Sequence, residues 1–242
     1  MVNITGICTN KEQIKNFKDS LDDITIKKIL CSKPTDLLNL WTTDFKKFKD
    51  VKLIIKVEKN IKSVNLISHI FDYSSFRRIS SKSKFSGFLL AKKLGIESCP
   101  YCNRNYTTSH ITLEEKRVFP EFDHFYHKNS YPLFAVSFYN LIPSCNICNT
   151  HFKGSKDSIE EQLFHPYTEL KPNAFKFSFI PQNVASLYGK NDNYDLNFII
   201  NDFENKDTIK RSLDFFGIKE IYEKCHSDLI KEIVNKKLSY SD

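Results

Sequence analysis

The chain reads Cys99-Pro-Tyr-Cys102, then Asp123-His124, then Cys145-Asn-Ile-Cys148-Asn149. Two CxxC pairs separated by the 42 residues 103–144 are typical of a structural zinc site, because each CxxC turn lets two thiolates converge on one tetrahedral ion. Redox dithiols are the alternative, but neither pair follows the βαβ pattern of a thioredoxin-like motif. The spacing therefore predicts that the four cysteines bind zinc and tie the ends of the intervening segment together.

The composition indicates a globular protein with a substantial core. The chain has 242 residues, of which 40% are hydrophobic and 27% charged, enough for one large domain or two small ones. It shows no apolar run near the roughly 18 residues of a membrane span and no secretory signal pattern, so we expect no membrane association. The cysteines are odd in number, at seven, and four of them are paired. This favours a cytoplasmic metalloprotein over a disulfide-bonded secreted one.

The charge balance is basic, with a formal net charge of +7 and a pI near 8.9. Lysines and arginines that neutralise phosphates release condensed counterions, so such a balance is compatible with a nucleic-acid partner. Lysine enrichment for solubility is the other interpretation. The remaining cysteines, Cys8, Cys31 and Cys225, are expected to be ordinary thiols with no metal role.

Hydrophobic periodicity divides the chain into three regions. Residues 1–95 are expected to be mainly helical, 96–165 to carry the site, and 166–242 to contain short strands and helices. A helix is predicted to start at Pro34, and one or two C-terminal helices to break near Gly217. Residues 51–57 fit either a strand or a buried helical turn. Further short strands are predicted at 107–112, 117–122, 175–180 and 196–200.

The dipeptide Asp123-His124 combines two catalytic chemistries. A carboxylate is a hard ligand for Mg²⁺ or another divalent ion, and a neighbouring imidazole can take a proton from water to form a nucleophile. Adjacent side chains on an extended segment point to opposite faces, so both can serve one site only at a bend. Alone, the dipeptide also fits a structural role. Its position between the cysteine pairs favours the catalytic one.

A longer pattern around these residues resembles an HNH endonuclease of the ββα-metal type. The pattern is Asp123-His124-Phe-Tyr-His-Lys128, then Asn140-Leu-Ile-Pro-Ser-Cys145-Asn-Ile-Cys148-Asn149, with Lys153 beyond. The resemblance covers residues 97–156. The arrangement of these motifs is similar to that of the HNH nucleases of bacterial anti-phage systems, of the Septu and retron-associated type. It implies an α+β fold, in which a central ββα-metal HNH core with structural zinc is flanked by mainly helical N-terminal and C-terminal segments.

The resemblance also implies a role for each matching position. Asp123 and Asn149 would bind one catalytic Mg²⁺ or Mn²⁺ ion, and His124 would be the general base. Asn140 would hold the loop through backbone hydrogen bonds. The structural zinc would be held by Cys99, Cys102, Cys145 and Cys148.

Four residues near the motif have open roles. His127 stands where the family usually has proline, and it fits a further ligand, a proton shuttle or a structural substitution. Lys153 follows Asn149 by four positions, one more than in the family pattern, and it fits either a phosphate contact or an exposed lysine. The role of His151, inside that insertion, is open. His165 fits either an approach to the site or loop packing.

We therefore expect a metal-dependent DNA endonuclease of anti-phage defence. A zinc-ribbon module that binds nucleic acid without cutting it is the alternative from another class, and an RNA-cleaving effector would share the same residues. The flanks 1–95 and 200–242 are expected to dock a protein partner, such as an ATPase of the defence system. The alternative is that they complete the core and broaden a basic DNA-binding face.

Overall fold

The computed structural model describes residues 11–57, 60–78, 86–113, 117–168 and 173–240. The helices are α1 (Lys11–Asp19), α2 (Asp23–Cys31), α3 (Pro34–Leu40), α4 (Leu66–Ile70), α5 (Tyr73–Arg77), α6 (Gly87–Leu94), α7 (Val184–Leu187), α8 (Lys206–Phe215), α9 (Ile218–Cys225) and α10 (Ser227–Tyr240). Shorter helical segments are Trp41–Phe45, Lys46–Phe48, Pro132–Phe134, Phe138–Asn140 and Ile147–Lys153. The strands are β1 (Lys52–Val57), β2 (Asn60–Asn65), β3 (His110–Ile111), β4 (Arg117–Val118), β5 (Glu121–His124), β6 (Leu141–Ser144), β7 (Phe175–Pro181) and β8 (Tyr194–Ile200).

The strands form small antiparallel sheets. Within the described ranges the strands pair two by two in chain order, which gives the two-stranded sheets β1–β2, β3–β4, β5–β6 and β7–β8. The mixture of helices and small antiparallel sheets confirms the predicted α+β class. None of the described helices combines the length and apolar character that a membrane span requires.

Two strand predictions need correction, and the open assignment of residues 51–57 resolves to a strand. Residues 52–57 are a strand, and its pairing with β2 places a hairpin inside the region expected to be mainly helical. The predicted strand 117–122 is interrupted because Pro120, which has no N–H to donate to a ladder, separates β4 from β5. The predicted strand 107–112 shortens to β3.

The number of C-terminal helices also differs from the prediction. The chain does break at Gly217, which adopts a left-handed φ of 56° between α8 and α9. A Cβ at that glycine would approach the Phe152 ring at 3.0 Å. A second break at His226 separates α9 from α10, so three helices stand where one or two were expected.

The main hydrophobic core contains side chains from all three predicted regions. Phe17 and Phe45 come from the N-terminal region, Phe134 from the middle and Phe216 from the C-terminal one. The four paired cysteines belong to the same cluster. Residues far apart in sequence therefore surround the predicted metal site.

The hairpin β5–β6 brings the motif residues together. Asp123 pairs with Ile142 and His124 with Leu141. Cys145 follows β6 directly, and the helical segment Ile147–Lys153 begins two residues later. The register therefore places the Asp-His dipeptide beside the second cysteine pair.

We expect Phe216→Ala to lower the free energy of unfolding by about 3–5 kcal/mol, because it removes a buried aromatic ring and leaves a cavity. Phe216 is 2% exposed and stacks on Tyr101 with ring centroids 4.3 Å apart. Phe203→Ala is the control, since Phe203 is 81% exposed and its loss is expected to cost about 0.5 kcal/mol or less. Urea unfolding measures both. Equal costs would contradict the packing of the C-terminal region into this core.

Candidate functional site

Four cysteine sulfurs meet in the core. The Sγ atoms of Cys99, Cys102, Cys145 and Cys148 lie within 4.8 Å of one another, and all four residues are buried free thiols. The Cys102 and Cys145 sulfurs are 4.0 Å apart. A tetrahedral zinc with Zn–S bonds of about 2.3 Å holds its sulfurs about 3.8 Å apart. The donor set and its spacing therefore fit a structural zinc site.

Hydrogen-bond donors surround the Cys145 sulfur. The backbone N–H of Cys148 and the side-chain amide of Asn105 both donate to it at 3.4 Å. The neighbouring thiols, Cys102 first among them, lower the pKa of Cys145 by hydrogen bonding to its thiolate. The two N–H contacts favour the thiolate form of Cys145, which is the form that ligates zinc, whereas hydrogen bonding among the same thiols raises the pKa of Cys99 and Cys148.

The remaining cysteines stand apart from this cluster. Cys31 and Cys225 are exposed free thiols, and neither belongs to the group of four sulfurs. Cys8 lies outside the described residues.

Asp123 is a buried carboxylate held from two sides. The Tyr101 hydroxyl donates to Oδ2 at 2.5 Å, and the Lys153 ammonium lies 2.9 Å from Oδ1. Burial raises the pKa of Asp123, and the strongest opposing influence is the charge of Lys153. Tyr101 lies inside the first CxxC turn and Lys153 lies five residues after the second. The carboxylate is thus fixed relative to both cysteine pairs.

His124 is buried and held in one tautomer. Its Nε2 lies 3.0 Å from the Ala135 carbonyl oxygen, and because a carbonyl only accepts, Nε2 carries the proton. Nδ1 is then the unprotonated acceptor. Burial lowers the pKa of His124 to about 3, so the ring is neutral at pH 7. The Tyr73 and His124 rings are nearly perpendicular, at 75°, and their centroids are 4.4 Å apart. This histidine can accept a proton through Nδ1.

Asn140 holds the loop between β5 and β6. Its side chain is fully buried, and its Oδ1 accepts a hydrogen bond from the Tyr126 N–H at 2.6 Å. Its Nδ2 donates to the carbonyls of Tyr126 and Phe134 at 3.2 and 2.9 Å. These are backbone hydrogen bonds of the kind that the HNH resemblance implies for this position.

Asn149 lies on the helical segment Ile147–Lys153 and faces β5. Its Nδ2 donates to the Glu121 carboxylate at 2.8 Å. The amide oxygen Oδ1 is then left as a neutral oxygen that can ligate a metal ion. Asn146 and Thr150 also donate to Glu121, at 3.2 and 3.3 Å. Glu121 therefore positions the amide of Asn149 against the strand that carries Asp123.

An open cleft of about 320 Å³ brings these groups together. It is lined by Tyr73, Arg77, Glu121, Phe122, Asp123, His124, His127, Lys128, Asn149, Lys153 and Gly154. Three of the four predicted site residues outside the cysteine cluster thus face one cleft. Asn140 is buried beneath the adjoining loop and does not line it.

Among the cleft residues with polar side chains, sequence reasoning missed three, namely Glu121, Tyr73 and Arg77. Glu121 had a usable signal, because residues two apart on a strand share a face and Glu121 precedes Asp123 by two. Tyr73 and Arg77 lie on α5, in the region where no chemistry was recognised. Only the packing of α5 against the hairpin brings them to the cleft, so they had no local signal.

The structure separates the residues whose roles were open. His127 lines the cleft, whereas His151 is exposed and does not. His165 is buried, and its ring lies 4.1 Å from the Phe125 ring, which agrees with loop packing. The interpretation of Lys153 as an exposed lysine is wrong. Its side chain is 1% exposed and donates to the His124 carbonyl at 2.8 Å, in addition to pairing with Asp123.

Comparison with known proteins finds partial similarity to two curated proteins. One stretch of 78 residues is 35% identical to the Septu protein PtuB of Bacillus thuringiensis and covers 32% of this chain and 27% of that protein. A stretch of 92 residues is 34% identical to protein ea31 of Escherichia phage lambda and covers 37% of this chain and 27% of that protein. The chain thus spans about a quarter of the length of these relatives. No protein-family model and no solved structure matches it.

We expect the purified protein to contain about one tightly bound zinc ion per chain. Cys145→Ser should lose the metal and lower the melting temperature, because metal binding contributes to folding. Cys225→Ser, at an exposed cysteine outside the cluster, should retain both. Elemental analysis and thermal unfolding measure these effects. A zinc-free wild type, or a Cys145→Ser variant that melts like wild type, would rule the site out.

Breaking the buried ion pair should be costly. Lys153→Met leaves the Asp123 carboxylate buried without a counter-charge, for which we expect a loss of about 3–5 kcal/mol in the free energy of unfolding. Lys210→Met is the control, because it breaks a pair whose side chains are 66% and 63% exposed, a change of about 0–1 kcal/mol. Urea unfolding compares the two. Equal losses of unfolding free energy would show that the buried pair contributes no more to stability than the exposed one.

Proposed function

We propose that this chain is a metal-dependent HNH endonuclease that hydrolyses phosphodiester bonds of DNA. Its ββα-metal core would consist of β5, β6 and the helical segment Ile147–Lys153. One observation carries the proposal, namely that Asp123, His124 and Asn149 face a single cleft beside the cysteine cluster. A carboxylate, a neutral imidazole with an accepting Nδ1 and an amide oxygen are what metal-assisted hydrolysis uses, and a zinc module that only binds has no need of them.

The oxygen donors of the cleft fit a catalytic Mg²⁺ or Mn²⁺ ion. Asp123 offers carboxylate oxygens and Asn149 offers Oδ1, and both are hard ligands. Mg²⁺ is commonly held by one or two carboxylates, with waters and substrate phosphates completing its shell, so two protein ligands suffice. When bound, the ion supplies electrostatic stabilisation of the phosphoryl and leaving oxygens.

The chain's own residues would supply the base and its orientation. His124 Nδ1 takes a proton from the attacking water, while the Ala135 carbonyl on Nε2 keeps the ring in the required tautomer. The edge of Tyr73 fixes the ring plane. Asn140 holds the loop that follows the base.

Two contacts would prevent the acidic ligand from moving. Tyr101 and Lys153 each hold one oxygen of Asp123, so the carboxylate keeps one orientation during the reaction. Preorganised polar groups of this kind need little rearrangement when charge develops.

The proposed biological role is bacterial anti-phage defence in the cytoplasm. The similarity to a Septu protein supports this role. A protein partner, such as an ATPase of the same system, is part of the proposal. The packing of Phe17 and Phe216 in the core with the cysteines favours a structural role for part of the flanks, so the partner would dock on their outer surface.

We expect His124→Ala to lower plasmid cleavage by about 10²–10⁴-fold in the presence of Mg²⁺ or Mn²⁺, because a positioned general base typically contributes that much. Zinc content and nucleic-acid affinity should stay near wild type. His151→Ala is the matched control, since His151 is exposed and lies off the cleft. Initial cleavage rates of supercoiled plasmid and of a labelled RNA measure the effect.

Three outcomes would revise the proposal. A His124→Ala variant that cuts at the wild-type rate would shift the base to His127, the other histidine lining the cleft. Cleavage of RNA alone would identify the RNA-cleaving effector. Binding of nucleic acid without cleavage under any divalent ion would identify the zinc-ribbon module.

A further inference from the structure

Helix α5 forms one wall of the cleft. Tyr73 and Arg77 lie at its two ends, four residues apart, and therefore point to the same side of the helix. Tyr73 contacts the His124 ring. Arg77 thus lies within one helical turn of a residue that touches the proposed general base.

The Arg77 guanidinium is anchored rather than free. Its Nη1 donates to the Pro120 carbonyl at 3.1 Å, and its Cζ lies 4.8 Å from the centre of the Phe119 ring. These contacts hold it at the start of β5, the strand that carries Asp123. A guanidinium has five N–H donors, of which the Pro120 carbonyl accepts one and the Tyr73 hydroxyl lies within hydrogen-bonding reach of another, so further donors remain for a ligand.

Lys128 adds a second cation near Tyr73. It is exposed at the end of the Asp123-to-Lys128 motif, and its Nζ lies 5.6 Å from the centre of the Tyr73 ring. Both Arg77 and Lys128 line the same cleft. Arg77 and Lys128 therefore both lie close to Tyr73 in the cleft.

The charges of the cleft leave these two cations without acidic partners. Of its two carboxylates, Asp123 is paired with Lys153 and Glu121 accepts from Asn146, Asn149 and Thr150. Among the residues that the structure describes, no ion pair joins Arg77 or Lys128 to a carboxylate. Two cations that line one open cleft fit an anion with several oxygens, and Arg recognises such groups with paired N–H donors.

We propose that Arg77 and Lys128 form a phosphate subsite, which holds a phosphodiester group of the nucleic-acid strand beside His124. This subsite rests on the proposed function and deepens it, because it identifies residues that bind the phosphate backbone of the substrate. It also gives the N-terminal region a direct part in substrate binding. A backbone subsite contacts phosphate and not base edges, so it adds affinity without sequence preference.

The test measures binding in a His124→Ala background, which keeps the strand uncut. Fluorescence anisotropy with a labelled DNA duplex and a labelled RNA hairpin gives the affinity across a salt series. Arg77→Gln should weaken binding about tenfold, since it removes charge-assisted hydrogen bonds. The slope of log affinity against log salt should fall by about 0.9 for each phosphate that the variant no longer neutralises.

Two further variants keep the test decisive. Arg78→Gln is the matched control, because it removes the same charge from the adjacent residue, which is exposed and outside the cleft. Lys128→Gln changes an exposed side chain, so a decrease in affinity there does not stem from misfolding. We expect Arg77→Gln and Lys128→Gln to bind more weakly and Arg78→Gln to retain the parent affinity.

The results separate the subsite from the function. Equal decreases in affinity for all three variants would overturn the subsite in favour of a general basic face. Normal binding by Arg77→Gln and Lys128→Gln would overturn it while the endonuclease proposal stands. A parent protein that binds neither DNA nor RNA would overturn both proposals. If the parent binds both DNA and RNA, weaker binding of the variants to both would support phosphate recognition, and weaker binding to one alone would overturn recognition by the backbone.

Discussion

The meeting of the two CxxC turns is the constraint on which the rest of the site depends. It closes a segment of 42 residues, and a zinc ion bound by the four sulfurs would offset the entropy of that closure. Cys145 follows β6 without a spacer, so the position of the cluster determines where the β5–β6 hairpin ends. The cluster lies in the main core rather than at the surface, and loss of the metal would therefore disturb the whole fold.

The geometry of the cluster is transmitted to Asp123 through two side chains. Tyr101 extends from within the first CxxC turn, and Lys153 returns from the helical segment that starts in the second. A buried carboxylate or ammonium alone carries a desolvation penalty of several kcal/mol, and each here is compensated by the other. Ion pairs of this kind add little net stability, but they restrict orientation. A carboxylate with one orientation is well suited to hold an ion or a reacting group.

The flanking regions have a double role in this arrangement. Phe216 stacks on Tyr101, and the Tyr222 hydroxyl donates to the Cys102 carbonyl at 2.8 Å, so the C-terminal helices support the first cysteine turn. On the other side, α5 supplies Tyr73 and Arg77 to the cleft. The β5–β6 hairpin beside the cysteine cluster thereby gains a rigid frame and one wall of the cleft.

The sequence by itself determined the parts of the site that depend on short spacing along the chain. CxxC spacing encodes the convergence of two sulfurs, and the period-two and helical patterns identified β7, β8 and α8 because these signals are local. The set Asp123-His124, Asn140 and Asn149 came instead from the resemblance to the HNH pattern. Even the break at Gly217 followed from one residue type.

The tertiary structure alone decided which distant residues complete the site. Lys153 is buried because the helical segment folds back over β5, which no local pattern records. The His124 tautomer depends on a carbonyl 11 residues away. Arg77 is held at the cleft by the Pro120 carbonyl, which lies 43 residues further along the chain. Such contacts are set by how the whole core closes, because burial and pairing energies depend on neighbours that sequence spacing does not specify.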